Sequence, residues 1–178
     1  PTNALQSMEV MTGAVPAEFG DKTSLVVNAI SRSGLGQHKP TGSFATRYGT
    51  FGTVGALGDL SVGGDKVGNF TAFNFERSGR FLDAPEFDPL HDQGKAANLF
   101  NHFDYKITPN DTLHLNVLLA RNRFEIPNTI DQQTLGQDQR QLVRTLNLAP
   151  GYLHTFNSST LLTVNPYYRL DQVWYDPS

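Results

Sequence analysis

The chain has 178 residues, 38% of them hydrophobic and 17% charged, with 12 Phe, 6 Tyr, 16 Gly and a formal net charge of −3. That length suits one domain of ordinary size, and low charge with many aromatics and glycines excludes the profile of a helical enzyme or a disordered tail. No clustered basic run argues for nucleic acid, the absence of cysteine removes disulfides and thiolate metal sites, and no apolar run reaches the roughly 18 residues of a membrane-spanning helix.

From the N-terminus, Leu5 to Met11 alternates weakly until Gly13 breaks the pattern. Pro16-Ala17-Glu18-Phe19-Gly20 reads as a short helical turn closed by glycine, and Leu25 to Ile30 as a short, nearly continuous apolar strand ended by Ser33-Gly34. Strand, turn and buried strand predict a small mixed domain over about residues 1–36, which a soluble α+β fragment would match equally. Lys39-Pro40 reads as a linker. Gly49, Gly52, Gly55 and Gly58 then recur every third residue without the Gly-Lys-Ser/Thr of a phosphate loop or the proline of collagen. They fit either a first strand approached closely by its neighbours or a flexible turn region.

Strand character resumes from Leu60 to Arg77, with a turn at Ser61–Lys66 and Phe73 and Phe75 on one face. Arg77 to Gly94 is a long polar connection. In the next stretch Leu99, Asn101, Phe103, Tyr105 and Ile107 alternate with Asn98, Phe100, His102, Asp104 and Lys106. After Thr108-Pro109-Asn110-Asp111 the alternation restarts as Leu113, Leu115, Val117 and Leu119. Period two on both sides of a proline-asparagine turn predicts a hairpin over Asn98–Glu125. A second polar connection, Ile126 to Gln139, carries four glutamines. Leu142, Leu146, Leu148, Tyr152 and Phe156 then mark a strand face interrupted by Arg144 and Pro150. Asn157-Ser158-Ser159 is a turn, and Leu162, Val164, Tyr168, Leu170 and Trp174 mark the last strand.

Short turns at 109–111 and 157–159 therefore alternate with long polar connections at 79–94 and 126–139, the rhythm of an outer-membrane barrel. Apolar-face segments of about 9–11 residues suit tilted strands crossing a bilayer. Tyr105, Tyr152, Tyr167, Tyr168, Trp174 and Tyr175 fit interfacial girdles, and His102, Asp104, His114, Asn116, Asn147 and Asn165 fit a wet lumen. The predicted fold is mainly β: an antiparallel transmembrane β-barrel, present in part over residues 41–178 as six or seven strands, preceded by the end of the small α+β domain. A soluble sandwich also alternates, but it buries its apolar face. The opening at Pro1 and the interruption of a strand pattern at Asp176-Pro177-Ser178 suggest a piece of a longer chain.

Catalytic patterns are sparse. The histidines at 38, 91, 102, 114 and 154 lack His-x-x-x-His spacing, and no Gly-x-Ser-x-Gly elbow is present. His102 and Asp104 share a face that His114 could join across the hairpin, as a metal or acid–base site would need, but polar residues solvated by a lumen explain them as well. No enzyme, metal or cofactor is expected.

One resemblance sharpens the reading. Glu9-Val10-Met11-Thr12-Gly13, Pro16-Ala17-Glu18-Phe19-Gly20 and Val26-Val27-Asn28-Ala29-Ile30-Ser31-Arg32-Ser33-Gly34 together resemble the end of the plug domain of TonB-dependent outer-membrane receptors. The match is nearest to receptors with a carboxypeptidase-regulatory-like domain ahead of the plug. It departs at Leu25, where the family usually has Gly, and at Ser31-Arg32 in place of Thr-Lys. Glu9, Gly13, Pro16, Glu18, Gly20, Asn28 and Gly34 carry the motif. Gly63-Gly64-Asp65-Lys66 followed by Phe70 to Phe75 is similar to the receptors' early barrel strands. The resemblance implies a protein of the outer membrane of a Gram-negative-type bacterium, in contact with its lipid. It would import a small-molecule or oligosaccharide ligand, such as a siderophore, by plug rearrangement driven by a TonB-type partner. Candidate ligand residues are Arg77, Arg80, Phe81, Phe87 and His91 around the first long connection and Arg121, Arg123 and Gln137 around the second. Gln132, Gln133, Gln139 and Gln141 could also hydrogen-bond a carbohydrate. A passive or structural barrel and a soluble carbohydrate-binding β-domain are the alternatives.

Overall fold

Alternating apolar and polar side chains dominate from residue 41 onward, and there the chain runs as a meander of antiparallel strands. The computed structural model describes residues 2–12 and 25–177. Its strands are β1 (Leu5–Thr12), β2 (Leu25–Ser31), β3 (Thr41–Tyr48), β4 (Val54–Gly63), β5 (Val67–Ser78), β6 (Gly94–Lys106), β7 (Asp111–Glu125), β8 (Arg140–Asn157), β9 (Thr160–Val164) and β10 (Tyr168–Asp176). Among the described residues the one α-helix is α1 (Ile130–Thr134), and no helix is long and apolar enough to cross a membrane.

β1 and β2 form a two-stranded antiparallel sheet in which Glu9 lies opposite Asn28. The other strands form one antiparallel sheet in the order β10-β8-β7-β6-β5-β4-β3, with β9 also paired to β8. This sheet stays open, with β3 and β10 at its edges. β6, β7 and β8 run 13, 15 and 18 residues, well beyond the usual strand of about five or six. The meander puts the connections at 64–66, 107–110 and 158–159 at one end and those at 49–53, 79–93 and 126–139 at the other.

Because side chains alternate along a strand, the register fixes which residues share a face. On one face Tyr105, Leu113 and Tyr152 form one row across three strands, and Leu99, Leu119, Leu146 and Leu170 form another. This apolar face is exposed: Leu113 is 42% and Leu119 43% accessible. Near its middle three polar side chains satisfy one another, Asn101 Nδ2 donating to Thr71 Oγ1 (2.8 Å) and Asn69 Oδ1 (3.2 Å). The opposite face carries Asp59, Asn98, His102, Asp104, Asn116 and Asn147. The buried cluster lies on this polar face, where Ala4 packs against Phe70 and Ala72 with Phe100 beside them. Burial is thus inverted relative to a soluble sandwich, because the wet-looking face is the one that is covered.

The covering comes from the flanks of the β1–β2 sheet, Thr2–Ala4 and residues 31–37, while most side chains of β1 and β2 themselves stay exposed. Asn3 Nδ2 donates to the Gly58 carbonyl (3.0 Å), and the guanidinium of Arg32 sits 5.6 Å over the Phe70 ring and 3.4 Å from Asp59. Residues 33–37 then dock backbone to backbone on the β4–β5 turn, with Gly36 N–H donating to Gly64 O (2.9 Å) and Gly63 N–H to Gln37 O (3.0 Å). A Cβ on Gly34 would stand 2.3 Å from the Asn69 carbonyl oxygen and 2.5 Å from that of Val62. Close approach, not turn geometry, is the reason for glycine at this motif position.

Several sequence expectations need correction. A strand, β3, occupies Thr41–Tyr48 directly after the linker, ahead of the glycine run that fitted either a first strand or a flexible turn region. The glycine run divides: Gly49 and Gly52 lie in the β3–β4 connection, whereas Gly55 and Gly58 belong to β4. The turn expected at Ser61–Lys66 contracts to residues 64–66. The last strand is interrupted at 165–167, so that β9 and β10 make one broken strand and the large sheet counts seven or eight. The helical turn expected at 16–20, with Gly13, Pro16, Glu18 and Gly20, lies outside the described residues.

Candidate functional site

The two long connections meet at one end of the sheet and are built onto each other. Phe81 folds back over β6 at Gly94, where a Cβ would lie 2.1 Å from its ring, and stacks on Phe124 at 5.7 Å. Asp92 is buried beneath this loop and accepts the Leu82 N–H (2.8 Å). Burial raises its carboxyl above the ordinary range against the opposing pull of the Leu82 and Phe81 amides. Across the gap, Asn128 N–H donates to Leu90 O (2.9 Å) and Ile130 N–H to Glu86 Oε1 (3.3 Å). Thr129 and Gln132 close a capping box on α1, which gives the second connection its only helical turn.

His91 is the clasp between the loops. It holds φ at +53°, a region non-glycine residues rarely adopt, because both of its ring nitrogens are engaged by the other loop. Nδ1 faces the Ile126 carbonyl at 3.0 Å and Nε2 faces Asp138 Oδ1 at 2.6 Å. Arg140 Nε donates to the same oxygen (2.7 Å), and Glu125 accepts the Gln93 N–H (2.9 Å). Burial pulls the imidazole's pKa down, but the Ile126 and Asp138 hydrogen bonds and the charges of Glu125 and Asp138 outweigh it and raise the value above 6.5. Hydrogen bonds from His91 and then Arg140 hold Asp138 below its ordinary 3.8. Two acceptors on one ring fit the imidazolium.

A second polar cluster joins the N-terminal sheet to the polar face of the large one. Ser33 donates to Asp104, His102 Nε2 lies 2.9 Å from the same carboxylate, and His102 Nδ1 lies 2.6 Å from Asn116 Oδ1 and 3.1 Å from Ser31 Oγ. Ser31, His102 and Asp104 stand in the order of nucleophile, base and orienting acid. Asn116, however, occupies the ring nitrogen nearest Ser31, so the serine has no free base. The ring of His114 stacks 6.3 Å from His102 and lies over Gly151, where a Cβ would come within 1.9 Å of it. These groups act as a bridge between two elements.

The structure scatters the candidate ligand residues. Arg80, Phe81, Phe87, His91 and Gln137 lie in the loop layer, but Phe81 and His91 are packed there as anchors. Arg80 is spent on the Phe87 carbonyl (3.1 Å) and on the Phe51 ring (5.5 Å). Phe87 is 91% accessible and Gln137 offers its carbonyl to Asn128 (2.8 Å). Arg77 is the last residue but one of β5, and Arg121 and Arg123 lie within β7, on the apolar face. They were expected to flank the loops, although the predicted Asn98–Glu125 hairpin already contained Arg121 and Arg123 and the alternation of Leu113, Leu115, Val117 and Leu119 put both on its apolar side. Glu125, Asp138 and Asn128 were not anticipated. The Thr129-x-x-Gln132 pair was the one local signal for this layer.

Comparison with protein-family models, curated proteins and solved structures gave no match.

Proposed function

We propose that this chain is part of an outer-membrane receptor of the TonB-dependent kind, in which residues 41–177 line the wall of a transmembrane β-barrel and residues 2–36 belong to a plug inside it. One observation carries the reading: the exposed face of the sheet is the apolar one, while the polar face holds the segments that flank the β1–β2 sheet. In water that arrangement leaves large apolar side chains unpaired with any core. In a bilayer it is the expected one, with lipid outside and a plugged polar lumen inside. A soluble carbohydrate-binding domain would bury Leu113, Leu115, Val117 and Leu162, yet Leu162 is 45% accessible and none of the four is buried.

The dimensions support the same reading. Leu113 and Arg121 are eight residues apart on β7, roughly 27 Å along the strand and about 21 Å along the bilayer normal at ~40° tilt. The apolar band of such barrels is about 25 Å tall. The three tight turns would face the periplasm and the clasped loop layer the exterior, where it would meet the imported ligand. Edges β3 and β10 would pair with further strands, since open edges are not tolerated in lipid. Import would be driven by an energising partner acting on the plug, and no catalytic chemistry is assigned to the chain.

Fractionation of cells expressing the full-length protein tests this. Outer-membrane location, with electrophoretic migration that changes on boiling, is the expected result. A soluble, detergent-independent monomer would overturn the receptor reading and leave a β-domain that binds sugars in water.

A further inference from the structure

The apolar face ends in cations that nothing balances. In cross-strand register Arg77 stands beside Lys95 and Lys95 beside Arg123, and one row lower Arg121 stands beside Arg144. Like charges directly opposite one another destabilise a sheet. Among the described residues Arg77, Lys95, Arg121 and Arg123 make no ion pair. Arg77, Lys95 and Arg123 line a pocket of about 250 Å³ with Arg140, and Glu125 is its only carboxylate. That carboxylate is already turned to the Gln93 amide (2.9 Å) and to Arg140 (3.7 Å).

Immediately toward the sheet centre lies an apolar groove of about 490 Å³. Phe73, Phe75, Leu99, Leu119, Leu146 and Leu170 line it, and Arg121 and Arg144 stand at its border. Arg144 is held there by packing 4.9 Å over the Trp174 ring. A cationic pocket stacked on an apolar groove matches one kind of molecule, an anionic amphiphile. Guanidinium groups match the oxygens of a phosphate in geometry as well as charge.

We infer that the loop end of the apolar face is a binding site for a phosphate-bearing membrane lipid. Arg77, Lys95 and Arg123 hold the headgroup, and the groove below takes an acyl chain. The inference rests on the membrane reading above, because only a bilayer presents headgroup and chain at these two heights together.

The test reconstitutes the full-length protein in phosphatidylcholine nanodiscs containing a minor fraction of phosphatidic acid and reads the co-purifying lipid by native mass spectrometry. Each cation beside an anionic surface strengthens attraction roughly fivefold, so R77Q/K95Q/R123Q is expected to lower retained phosphatidic acid at least about tenfold. K39Q/K66Q/K106Q removes the same charge at the turn end and is expected to retain lipid within about twofold of the parent, since screening isolates the two ends. Equal retention by both variants would overturn the site while leaving the membrane reading intact. Displacement of the lipid by inorganic phosphate alone would make this a soluble-anion site and overturn the assignment to lipid. Failure of the parent to enter the discs would overturn both readings.

Discussion

His91 shows how one side chain can join two loops and make their union depend on pH. Its folded pKa is raised, so its contribution is full below about 6.5 and is lost as pH rises through the folded value. The pKa of Asp138 is lowered, so its contribution is present above 3.8 and is lost as pH falls through its folded value. The clasp is therefore tightest between those limits and opens first on the alkaline side. Hydrogen exchange of the 79–93 and 126–139 amides should accelerate as pH rises above 6.5 and through the folded value, beyond the intrinsic base-catalysed rate, and H91Q should abolish that excess. An excess unchanged in H91Q would remove the clasp. Gly34 makes a different point, because backbone atoms of another strand occupy the place of its side chain. The backbone cannot yield as a flexible side chain would, so G34A should cost about 1–3 kcal/mol. Limited proteolysis should then cut residues 25–40 faster while the large sheet stays protected. Unchanged proteolysis would mean that the docking of 33–37 on the β4–β5 turn is not tight.

At the scale of the element, the break between β9 and β10 follows from two prolines. Tyr152 lies opposite Val164 and Leu148 opposite Tyr168, and the same register continued inward sets Pro150 opposite Pro166. Thr155 N–H donates to Asn110 O on the β7 side, so by alternation the backbone of Pro150 faces the broken strand. Two facing residues that would exchange both ladder bonds can donate neither. P166V should restore one donor, worth about 0.5–1.5 kcal/mol locally, and slow amide exchange at Asn165 and Tyr167. Exchange as fast as in the parent would mean the break has another cause. The same element shows how far the sequence could be read. Alternation over Asn98–Glu125 was legible because period two is local, and so were the tight turns with their proline and asparagine. β3 was not, because Gly42 and Thr46 dilute its apolar face and it lies at an edge. The broken strand was not, because the cause lies in a partner 16 residues away. The loop clasp was not, because His91 meets acceptors 35 and 47 residues distant and no spacing rule connects them.

For the molecule as a whole, the decisive question is what the apolar face touches. Water and lipid make opposite demands on it, and a single charge can read the difference. Val117 lies opposite Asn101 and Leu148, midway between Leu113 and Arg121 and so at the centre of the apolar band. If the face looks onto water, an arginine there extends into solvent and changes stability by no more than about 0.5 kcal/mol. If it looks onto lipid, the guanidinium sits near the bilayer middle, where such a substitution costs about 2–4 kcal/mol. The protein itself sets the scale of this comparison. Arg121 and Arg123 continue the same side of β7 four and six residues further on, and they reach the interface that Val117 does not. V117R should therefore lower unfolding stability in bilayers by several-fold more than V117A, which removes the same apolar contacts without burying a charge. Matched losses for the two variants would place water outside the sheet, and with it would go both the receptor reading and the lipid site at its loop end.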